Sequence, residues 1–568
     1  MKKEEKLKVA NGLKKADLVL KNGNIINVFS EEIIKGDIAI CDNEIVGIGN
    51  YDGKKEIDCS NKFLTPGLID AHMHIESSML TPGELSKILV KAGTTTIIAD
   101  PHEIVNVKGK IALDYILEST ENILTNVFIM VPSAVPTTDF ETNGCGEFLA
   151  KDMEKYINHP RILGLGETMR FLDVINGEKR MMDKIKLFKN KYIDGHSPNI
   201  TGKMVQAYRL AGVLNDHECT TAEEGIEKLR AGFYIFMREG SGAKNVDALL
   251  DGFLKAKIPL DRCCFCTDDK HIAEIEKEGQ VSTAIRKAIK KGVPVIKAYK
   301  MATYNTAMFY GLREYGALSA GYKADILIFD NLEDVKPIDI IKDGKLITEK
   351  DYQKDYSIKI NKNLLDTVKI KNITESQIQL KCKDKNDIIQ INPHQLLTTH
   401  LIEKLPSDKE NNFIPNSEYN KLSVIERHGK TGEIAVAPIK GFNIKNGAIA
   451  TSVAHDSHNI ITAGDNDRDI VMAVNELKNI HGGYVIVSKG KVINELPLEL
   501  CGLMSTKSST EVQKILDDML NKARNLGISN DIDPFITLSF MALTVIPEIR
   551  LTERGIFDVI KMKYIKNK

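Results

Sequence analysis

Two histidines separated by one residue are the first side chains in the sequence that could do chemistry together. His72 and His74 flank Met73 at the end of a short apolar stretch. In an extended chain, side chains two residues apart point to the same face, so both imidazoles can reach one metal ion. A His-x-His pair is weak evidence by itself, because most such pairs are surface or packing histidines. The residues elsewhere in the sequence therefore decide whether this pair indicates a metal site.

Further histidines and acids recur at the ends of apolar, strand-like segments. Seven histidines precede residue 320, and all of them except His159 lie at or just after such a segment. Glu167 and Asp268 also close segments of this kind. The histidines with this placement are His72, His74, His102, His196, His217 and His271. Chance rarely distributes histidines in this way, so the pattern predicts one shared site.

Four of these imidazoles and the two carboxylates predict a centre for two metal ions. One tetrahedral ion needs fewer ligands, whereas two ions bridged by a carboxylate and a hydroxide need about this number. Mixed nitrogen and oxygen ligands suit zinc, manganese or iron. A metal-bound water ionises near neutral pH, so the centre would supply a nucleophile without a serine or cysteine. The six predicted ligands are His72, His74, Glu167, His196, His217 and Asp268.

A different zinc site also has to be considered. Small zinc deaminases that act on nucleobases combine His-x-Glu with Pro-Cys-x-x-Cys. His74 and Glu76 match the first motif, and Cys263 and Cys266 match the cysteine spacing. However, Arg262 replaces the proline, and cysteines three residues apart on a strand face opposite sides. We therefore reject this alternative.

Ligands at strand ends require a fold that gathers those ends at one place. Over residues 63–316, strand-like and helix-like segments alternate eight times, which is the size and pattern of an α/β fold of the (β/α)8 barrel type. Active sites of such barrels lie at the carboxyl ends of the strands. The predicted strands are Leu68–Asp70, Thr95–Ala99, Val127–Val131, Ile162–Gly166, Tyr192–Asp194, Val213–Asn215, Tyr234–Met237 and Cys263–Cys266. The helices Pro82–Lys91, Lys203–Leu210 and Ala222–Ala231 are predicted between them.

The segments on either side of this region read as short strands with turns. Asp17–Leu20, with a turn at Asn22 and Gly23, begins the first flank, and Ala324–Asp330 begins the second. Either they are unrelated hairpins or they form one composite β-sandwich over residues 1–62 and 317–370. We favour the sandwich. Residues 371–568 are predicted to form a third, α+β domain that includes a strand at Gly483–Val487.

The bulk composition fits a folded protein that is soluble in the cytoplasm. The chain has 568 residues, 42% hydrophobic and 27% charged, with a net charge of -1. Without a basic surplus, we expect no nucleic-acid or membrane partner. Nine scattered cysteines indicate reduced thiols instead of a disulfide framework. We find no secretory signal at the start and no apolar run long enough to span a membrane.

Several motifs resemble those of one enzyme family. The stretch from Pro66 to His74 is similar to the first-strand signature of the amidohydrolase superfamily. More narrowly, Asp100-Pro101-His102-Glu103-Ile104, Cys266-Thr267-Asp268-Asp269-Lys270-His271 and Ala454-His455-Asp456-Ser457-His458-Asn459 resemble the adenine deaminase family. The resemblance covers nearly the whole chain and all three regions.

The resemblance implies a reaction and roles for the residues. The family converts adenine and water to hypoxanthine and ammonia, with a hydroxide that bridges two metal ions attacking C6. Glu167 would bridge the two ions, which are expected to be Mn²⁺ or Fe²⁺, with Zn²⁺ as a further option. Asp268 would take the proton of the hydroxide and deliver it to the departing ammonia. We expect a homodimer that acts on this small molecule.

Several polar residues are candidates for contact with the substrate. Asp100, His102 and Glu103 follow the second strand, and at least one of them is expected to bind or protonate the purine ring. The alternative is that one of them only orients a metal ligand. Further candidates, which could instead form ion pairs or stabilise local turns, are Ser77, Arg238, Glu239, His271, His455 and His458. The last two would belong to a lid supplied by the third domain.

Two other functions remain open on the sequence. The first is hydrolysis of a cyclic amide by the same kind of metal centre, and the second is a scaffold that has kept the barrel without catalysis. The loop from Asp100 to Glu103 and the third domain favour the deaminase over the ring-opening hydrolase. The complete ligand set argues against a scaffold.

Overall fold

The structure is a computed structural model that describes residues 1–393 and 395–565. It contains an N-terminal sheet, a set of parallel strands with intervening helices, and a C-terminal α/β region. The mixed α/β class predicted from the sequence is confirmed. No helix among the described residues is both long and apolar enough to cross a membrane. The nine cysteines are all free thiols.

The two flanks of the chain meet in one eight-stranded sheet. Phe63–Pro66 pairs in parallel with the long strand Ala16–Asn27, and Ile326–Phe329 of the second flank pairs antiparallel with Phe63–Pro66. Apolar side chains from both flanks, among them Leu20 and Ile326, form one buried cluster. The strands of this sheet are Ala16–Asn27, Glu32–Cys41, Glu44–Gly49, Gly53–Asp58, Phe63–Pro66, Ile326–Phe329, Asp339–Lys342 and Lys345–Leu346.

Asn22 and Gly23 do not form the turn predicted from the sequence. They lie inside the strand Ala16–Asn27, where the register with the neighbouring strand Glu32–Cys41 shifts. Asn22 adopts a left-handed conformation with φ of 60°, which asparagine tolerates better than most residues. An Asn-Gly pair fits a bulge as well as a hairpin turn, and here the strand continues through it.

Eight parallel strands follow, in two sheets. They are Leu68–Met73, Thr94–Ala99, Asn126–Val131, Ile162–Leu165, Tyr192–Ile193, Asn215–Asp216, Tyr234–Arg238 and Cys263–Cys266. The first five form one sheet in chain order, and the last three form the other. At one seam the N–H of Leu214 donates to the carbonyl of Ile193 (3.1 Å), and at the other the N–H of Asp268 donates to the carbonyl of His72 (2.9 Å).

Side chains of these strands are buried on both faces, as expected for apolar parallel strands covered by helices. Every residue of Leu68–Met73 and Thr94–Ala99 is buried. On the inner side, Ile69, Met130 and Phe236 from both sheets share one packed cluster. This continuity brings the carboxyl ends of the strands to a common edge.

The helices between and after these strands agree with the sequence pattern in several places. Pro82–Lys91 and Lys203–Leu210 have the predicted bounds. The sixth strand begins later than predicted, at Asn215, although Val213 is buried. The α-helices of this region are Pro82–Lys91, His102–Lys108, Lys110–Ser119, Ala150–Met153, Phe171–Ile175, Lys179–Leu187, Lys203–Leu210, Ala222–Arg230, Val246–Lys255, Ile272–Glu278, Ser282–Lys290, Val295–Met301 and Tyr304–Phe309.

The C-terminal region is built on a second eight-stranded sheet. Its strands are Asn386–Ile391, Thr398–Glu403, Asn420–Ile425, Ile434–Lys440, Gly447–Thr451, Ile460–Gly464, Gly483–Ser488 and Lys491–Pro497. The predicted strand at Gly483 is confirmed. A small sheet follows, formed by Ile549–Thr552, Gly555–Asp558 and Lys563–Tyr564. The helices are Asp467–Asn479, Ser509–Asn525 and Pro534–Phe540, and outside this region Lys3–Ala10, Glu349–Gln353 and Lys362–Leu365.

This C-terminal region packs on the carboxyl ends of the parallel strands. The hydroxyls of Thr138 and Thr544 are 2.9 Å apart, and the N–H of Thr142 donates to Glu553 (2.8 Å). The side chain of Asn459 donates to the carbonyl of Thr142 (3.0 Å). These contacts are buried, so the region covers the edge where the predicted ligands lie.

Candidate metal centre

The first and last parallel strands bring two histidines and an aspartate together. Nε2 of His74 lies 2.9 Å from Oδ1 of Asp268, and Nε2 of His72 lies 3.4 Å from the same oxygen. Both imidazoles sit on one side of the extended strand end, as their spacing predicts. The chain leaves the last strand through Asp268 in a left-handed conformation with φ of 61°.

Glu167 stands between two groups of imidazoles. Its Oε1 lies 3.2 Å from Nε2 of His74 and 3.3 Å from Nδ1 of His102. Its Oε2 lies 2.6 Å from Nδ1 of His196 and 3.3 Å from Nε2 of His217. One carboxylate therefore faces ligand atoms on two sides, as a bridge between two ions would.

The donor set fits two divalent cations that share Glu167. Two groups of potential ligands each lie within 4.8 Å, one formed by His72, His74, Glu167 and Asp268 and the other by Glu167, His196 and His217. Nε2 of His72 and both ring nitrogens of His217 are buried and lack a hydrogen-bond partner among the described residues. Buried polar atoms are rarely left unpaired, so these nitrogens point to ligands.

Protonation differs among the predicted ligands. Burial alone would raise the pKa of Glu167, yet hydrogen bonds from His102 and His196 hold that pKa well below its usual range. Burial, together with the neighbouring His217, lowers the pKa of His72 to about 4. Burial would also lower the pKa of His74, His196 and His217, but the adjacent carboxylates raise it in each case. Because neutral imidazoles bind metal ions, cation binding at these three rings displaces protons.

The residues behind the ligands hold them in orientation. Nδ1 of His74 donates to the carbonyl of Asp100 (2.8 Å), and the N–H of Glu167 donates to Oδ2 of Asp100 (2.9 Å). A Cβ atom at Gly166 would lie 2.1 Å from Oδ2 of Asp100, so glycine is needed for this approach. The hydroxyl of Ser133 donates to the carbonyl of Glu167 (2.6 Å). Asp100 therefore contacts the backbone of Glu167, which is one of the predicted ligands.

Arg238 and Glu239 lie in ion pairs beside the centre. Nη1 of Arg238 donates to Oδ2 of Asp268 (2.7 Å) and also to Glu218. Glu239 pairs with Lys287 (2.8 Å). The sequence left open whether Arg238 and Glu239 contact a substrate or form ion pairs, and the structure shows ion pairs for both. Contact of these two residues with a substrate stays a prediction.

A cavity lies between the parallel strands and the C-terminal region, and its wall includes Glu103 and Asp269, which directly follow His102 and Asp268 in the chain. Four predicted substrate contacts line it: Ser77, Glu103, His271 and His455. Asp269 contributes a further polar wall, and Tyr484, Leu503 and Phe540 supply apolar surface. The rings of His455 and Phe540 stack, with centroids 4.5 Å apart and planes at 21°. The cavity thus combines a flat apolar wall with convergent polar groups.

The remaining candidates lie behind the cavity wall. His102 is packed between the centre and the C-terminal region, with Nε2 3.8 Å from Oδ1 of Asp456. His458 is fully buried and is not among the residues that line the cavity. The roles predicted for His102, Asp100 and His458 as direct substrate contacts stay predictions.

Some neighbours of the site were not singled out from the sequence. Asp456 lies inside a motif quoted above, and Glu218 directly follows the predicted ligand His217, so their adjacency to histidines was an available signal. Asp456 accepts a hydrogen bond from Thr137, and Glu218 lies 3.6 Å from His196. Phe540, in contrast, lies in an ordinary apolar helix, and no local pattern marks it.

Comparison with known proteins agrees with the motifs. Residues 63–347 match the model of the amidohydrolase family, and residues 395–563 match that of the adenine deaminase C-terminal domain. The chain is 45% identical to adenine deaminase of Desulfitobacterium hafniense over 557 residues, covering 98% of this chain and 97% of the relative.

Two further relatives show the same extent of similarity. Adenine deaminase of Clostridium acetobutylicum is 45% identical over 571 residues, which cover 99% of each chain. Adenine deaminase 2 of Carboxydothermus hydrogenoformans is 42% identical over 559 residues, which cover 97% of each chain. The resemblance inferred from the motifs is confirmed, and the chain belongs to the adenine deaminase family of amidohydrolases.

Proposed function

We propose that the protein is a metal-dependent hydrolase that deaminates adenine, giving hypoxanthine and ammonia. The observation that carries the proposal is the Glu167 carboxylate, which faces imidazoles on two sides. A cavity closed by the adenine deaminase C-terminal domain supports it, because Glu103 and Asp269, the chain neighbours of His102 and Asp268, line that cavity. Membership of the family supplies the substrate class. The arrangement supports an enzyme over a scaffold, because a scaffold has no need for such a donor set.

We propose His72, His74, Glu167, His196, His217 and Asp268 as ligands of two divalent cations. When bound, such ions supply a nucleophile by lowering the pKa of water to near neutrality. Mn²⁺ and Fe²⁺ suit the mixed imidazole and carboxylate donors, as does Zn²⁺. His102 faces the same Glu167 oxygen as His74 and holds that side of the bridge in place.

Asp268 is proposed to move the proton. It takes a proton as water attacks the carbon that bears the amino group, and then delivers it to the departing ammonia. Burial alone would raise the pKa of Asp268, but the adjacent Arg238 guanidinium holds it well below its usual range. The carboxylate is therefore ionised and ready to accept a proton before the reaction.

Glu103 is the proposed contact to the purine ring. Among Asp100, His102 and Glu103, only Glu103 lines the cavity, whereas Asp100 is directed to the backbone of Glu167. Negative charge develops on the ring during attack, so a group that brings a proton or hydrogen bond to a ring nitrogen lowers the barrier. Oε2 of Glu103 would provide that proton or hydrogen bond, while Oε1 lies 3.1 Å from Nδ1 of His455.

The C-terminal region is proposed to act as the cover of the site. His455, Tyr484 and Phe540 complete the cavity wall opposite the parallel strands. A flat apolar wall suits a heterocyclic base, and exclusion of bulk water strengthens the electrostatic interactions inside. His271 and Ser77 add polar contacts on the opposite side.

We propose a closed (β/α)8 barrel over residues 63–316 with a composite sandwich over residues 1–62 and 317–370. The hydrogen bonds at both seams of the parallel sheets and the shared inner cluster support the closure. Residues 371–568 are proposed as the third domain. A homodimer in the cytoplasm completes the proposal, the location resting on the nine free cysteines.

The deciding experiment is an assay of the purified, Mn²⁺-loaded protein with adenine. We expect loss of adenine absorbance together with stoichiometric release of ammonia. Adenosine and a hydantoin-like ring serve as competing substrates, and the Glu167→Ala variant serves as the inactive control. Activity on the hydantoin-like ring without release of ammonia from adenine would establish the cyclic-amide hydrolase instead.

A further inference from the structure

A second cluster of ligand-type side chains lies at the wall of the cavity, and two of its three members line that cavity. Glu103, His455 and His458 each offer a ligand atom, and these atoms lie within 4.8 Å of one another. All three residues are buried. This cluster is separate from the six proposed ligands of the two cations described above.

The cluster joins two parts of the chain that are distant in sequence. Glu103 lies in the first turn of the helix His102–Lys108 at the carboxyl end of the second parallel strand. His455 and His458 lie in the loop between Gly447–Thr451 and Ile460–Gly464 of the C-terminal region. The loop is held tightly, because the N–H of His458 donates to the carbonyl of Ala454 (2.6 Å).

The hydrogen bonds of this cluster are incomplete. Both ring nitrogens of His458 are buried and find no hydrogen-bond partner in residues 1–393 and 395–565. Oε1 of Glu103 lies 3.1 Å from Nδ1 of His455, but within those residues it accepts no aligned hydrogen bond. An unsatisfied buried polar atom destabilises the folded chain. The native protein has to offset this cost with something that binds there.

We propose that Glu103, His455 and His458 bind a third divalent cation of the first-row transition-metal class. Two imidazoles and one carboxylate are a common donor set for Mn²⁺, Fe²⁺ and Zn²⁺. Three protein ligands leave coordination positions free, and Glu103 and His455 border the cavity. The proposed cation would therefore lie next to the space proposed for the substrate.

An ion pair between Glu103 and a protonated His455 explains less of the arrangement. It accounts for those two side chains but leaves both nitrogens of His458 unpaired. Among the described residues, neither nitrogen of the buried His458 ring has a hydrogen-bond partner, so a ligand can reach one of them without breaking an existing bond. The carboxylates of Glu76, Asp269 and Asp456 lie near the cluster and favour added positive charge, whereas the buried guanidinium of Arg427 beside His458 opposes it. A cation contacts all three residues and satisfies one ring nitrogen of His458, which the ion pair does not.

This third cation would connect the C-terminal region to the parallel strands. Its ligands come from both sides of the interface, so its binding energy adds directly to the contacts that close the cavity. Because a carboxylate has two oxygens, Glu103 can use Oε1 for the cation and keep Oε2 for the purine contact. The inference adds to the proposed deaminase and does not require that activity.

The test is cation stoichiometry after equilibrium dialysis of the full chain against Mn²⁺. We expect three Mn²⁺ per chain in the wild type, two in His458→Asn and three in the control His481→Asn, which changes an exposed histidine of the same region. Glu167→Ala should retain one Mn²⁺, at the third site. Two ions in the wild type, or three in His458→Asn, would overturn the proposal.

Anomalous diffraction at the manganese edge locates the ions without any variant, so it decides even if His458→Asn fails to fold. We expect one peak among Glu103, His455 and His458 and two beside Glu167. Peaks beside Glu167 alone would refute the third site while leaving the proposed function intact. No peak beside Glu167 would contradict the proposed function instead. Crystals grown with adenine provide a second check. Electron density for the edge of the purine ring among Glu103, His455 and His458, with no metal peak there, would also refute the third site.

Discussion

Glu167 makes more contacts with potential metal ligands than any other side chain described above. Its two oxygens face His74 and His102 on one side and His196 and His217 on the other. If two cations bind here, a carboxylate in this position would offset their mutual repulsion. The backbone of Glu167 is held by Asp100 and Ser133, so its orientation is fixed before any ion binds.

We therefore expect Glu167→Ala to lose both cations of this centre and to abolish deamination. The variant removes the only carboxylate that faces both groups of imidazoles among the described residues. Metal analysis and the adenine assay, run in parallel with the exposed-site control Glu433→Ala, provide the measurement. An unchanged metal content would show that Glu167 does not bridge.

We expect Glu103→Gln to slow the reaction without changing metal binding at the Glu167 centre. If Glu103 handles a proton on the purine ring, the amide lowers kcat by roughly 10²-fold. The two cations beside Glu167 should remain, because Glu103 is not one of their proposed ligands. Glu433→Gln is the matched control. A near-normal kcat would remove Glu103 from the mechanism.

At the scale of elements, the helix Lys179–Leu187 supports the centre through a buried lysine. Nζ of Lys184 donates to the carbonyl of Ser133 (2.6 Å), and the hydroxyl of Ser133 donates to the carbonyl of Glu167 (2.6 Å). Burial, with the nearby charges of Arg180 and Arg170, lowers the pKa of Lys184 to about 7. The folded chain therefore favours the neutral amine.

This lysine predicts a pH dependence of stability. Between about pH 7 and pH 10 the unfolded chain binds more protons at this residue, so its contribution to the free energy of unfolding rises with pH by up to about 1.4 kcal/mol per pH unit. Lys184→Met removes that contribution. We expect the stability of the variant relative to wild type to be higher at pH 7 than at pH 9.5.

Thermal unfolding at the two pH values measures this difference. Lys186→Met, which changes an exposed lysine of the same helix, is the control and should show no such trend. A stability difference for Lys184→Met that is equal at both pH values would mean that the lysine stays charged in the folded chain.

The helix Pro534–Phe540 carries the aromatic wall of the cavity. Removing the ring in Phe540→Ala takes away the surface that stacks on His455. A base that packs against this wall should lose roughly 1–3 kcal/mol, so we expect KM for adenine to rise about 10-fold or more with metal content unchanged. Phe29→Ala, which removes an exposed ring from the N-terminal sheet, is the control. An unaltered KM would place the base elsewhere.

The sequence predicted the site best where a chemically competent side chain directly follows a buried apolar run. The strands ending near His72, Glu167 and Asp268 follow from buried apolar runs, and a parallel arrangement brings such ends together. The pattern was ambiguous at Asn22 and Gly23, where one residue pair suits both a turn and a bulge. It was also ambiguous at Val213, which is buried although the sixth strand begins two residues later.

Contacts between residues of different domains could not be predicted from local sequence patterns. His102 meets Asp456, and Glu103 meets His455, across more than 300 residues of chain. Nothing in the spacing of either segment specifies the other. The motif around His455 indicated a functional loop, but its packing against the second parallel strand depends on the assembled surfaces of both domains.

At the scale of the whole molecule, cation binding should contribute to folding stability. The proposed ligands come from strands spread over 63–316, so the ions bind the folded chain and not the unfolded one. A site at 100 times its Kd adds about 2.7 kcal/mol to the free energy of unfolding. We expect chelation to lower the unfolding temperature and Mn²⁺ to restore it.

Differential scanning calorimetry of the chelated, Mn²⁺-restored and Na⁺-treated protein provides the measurement, with Na⁺ as the ionic control. Glu167→Ala should resemble the chelated protein and respond weakly to Mn²⁺. Identical unfolding temperatures with and without Mn²⁺ would contradict the cation centre.

The cavity wall also constrains when the protein becomes functional during its synthesis. The histidines and acids near the strand ends emerge from the ribosome long before Tyr484 and Phe540, and domains tend to fold in the order in which they are made. A nascent barrel could thus hold reactive cations in a site that is still open to bulk water. Selectivity for a buried base can arise only after the chain as far as Phe540 has emerged and folded.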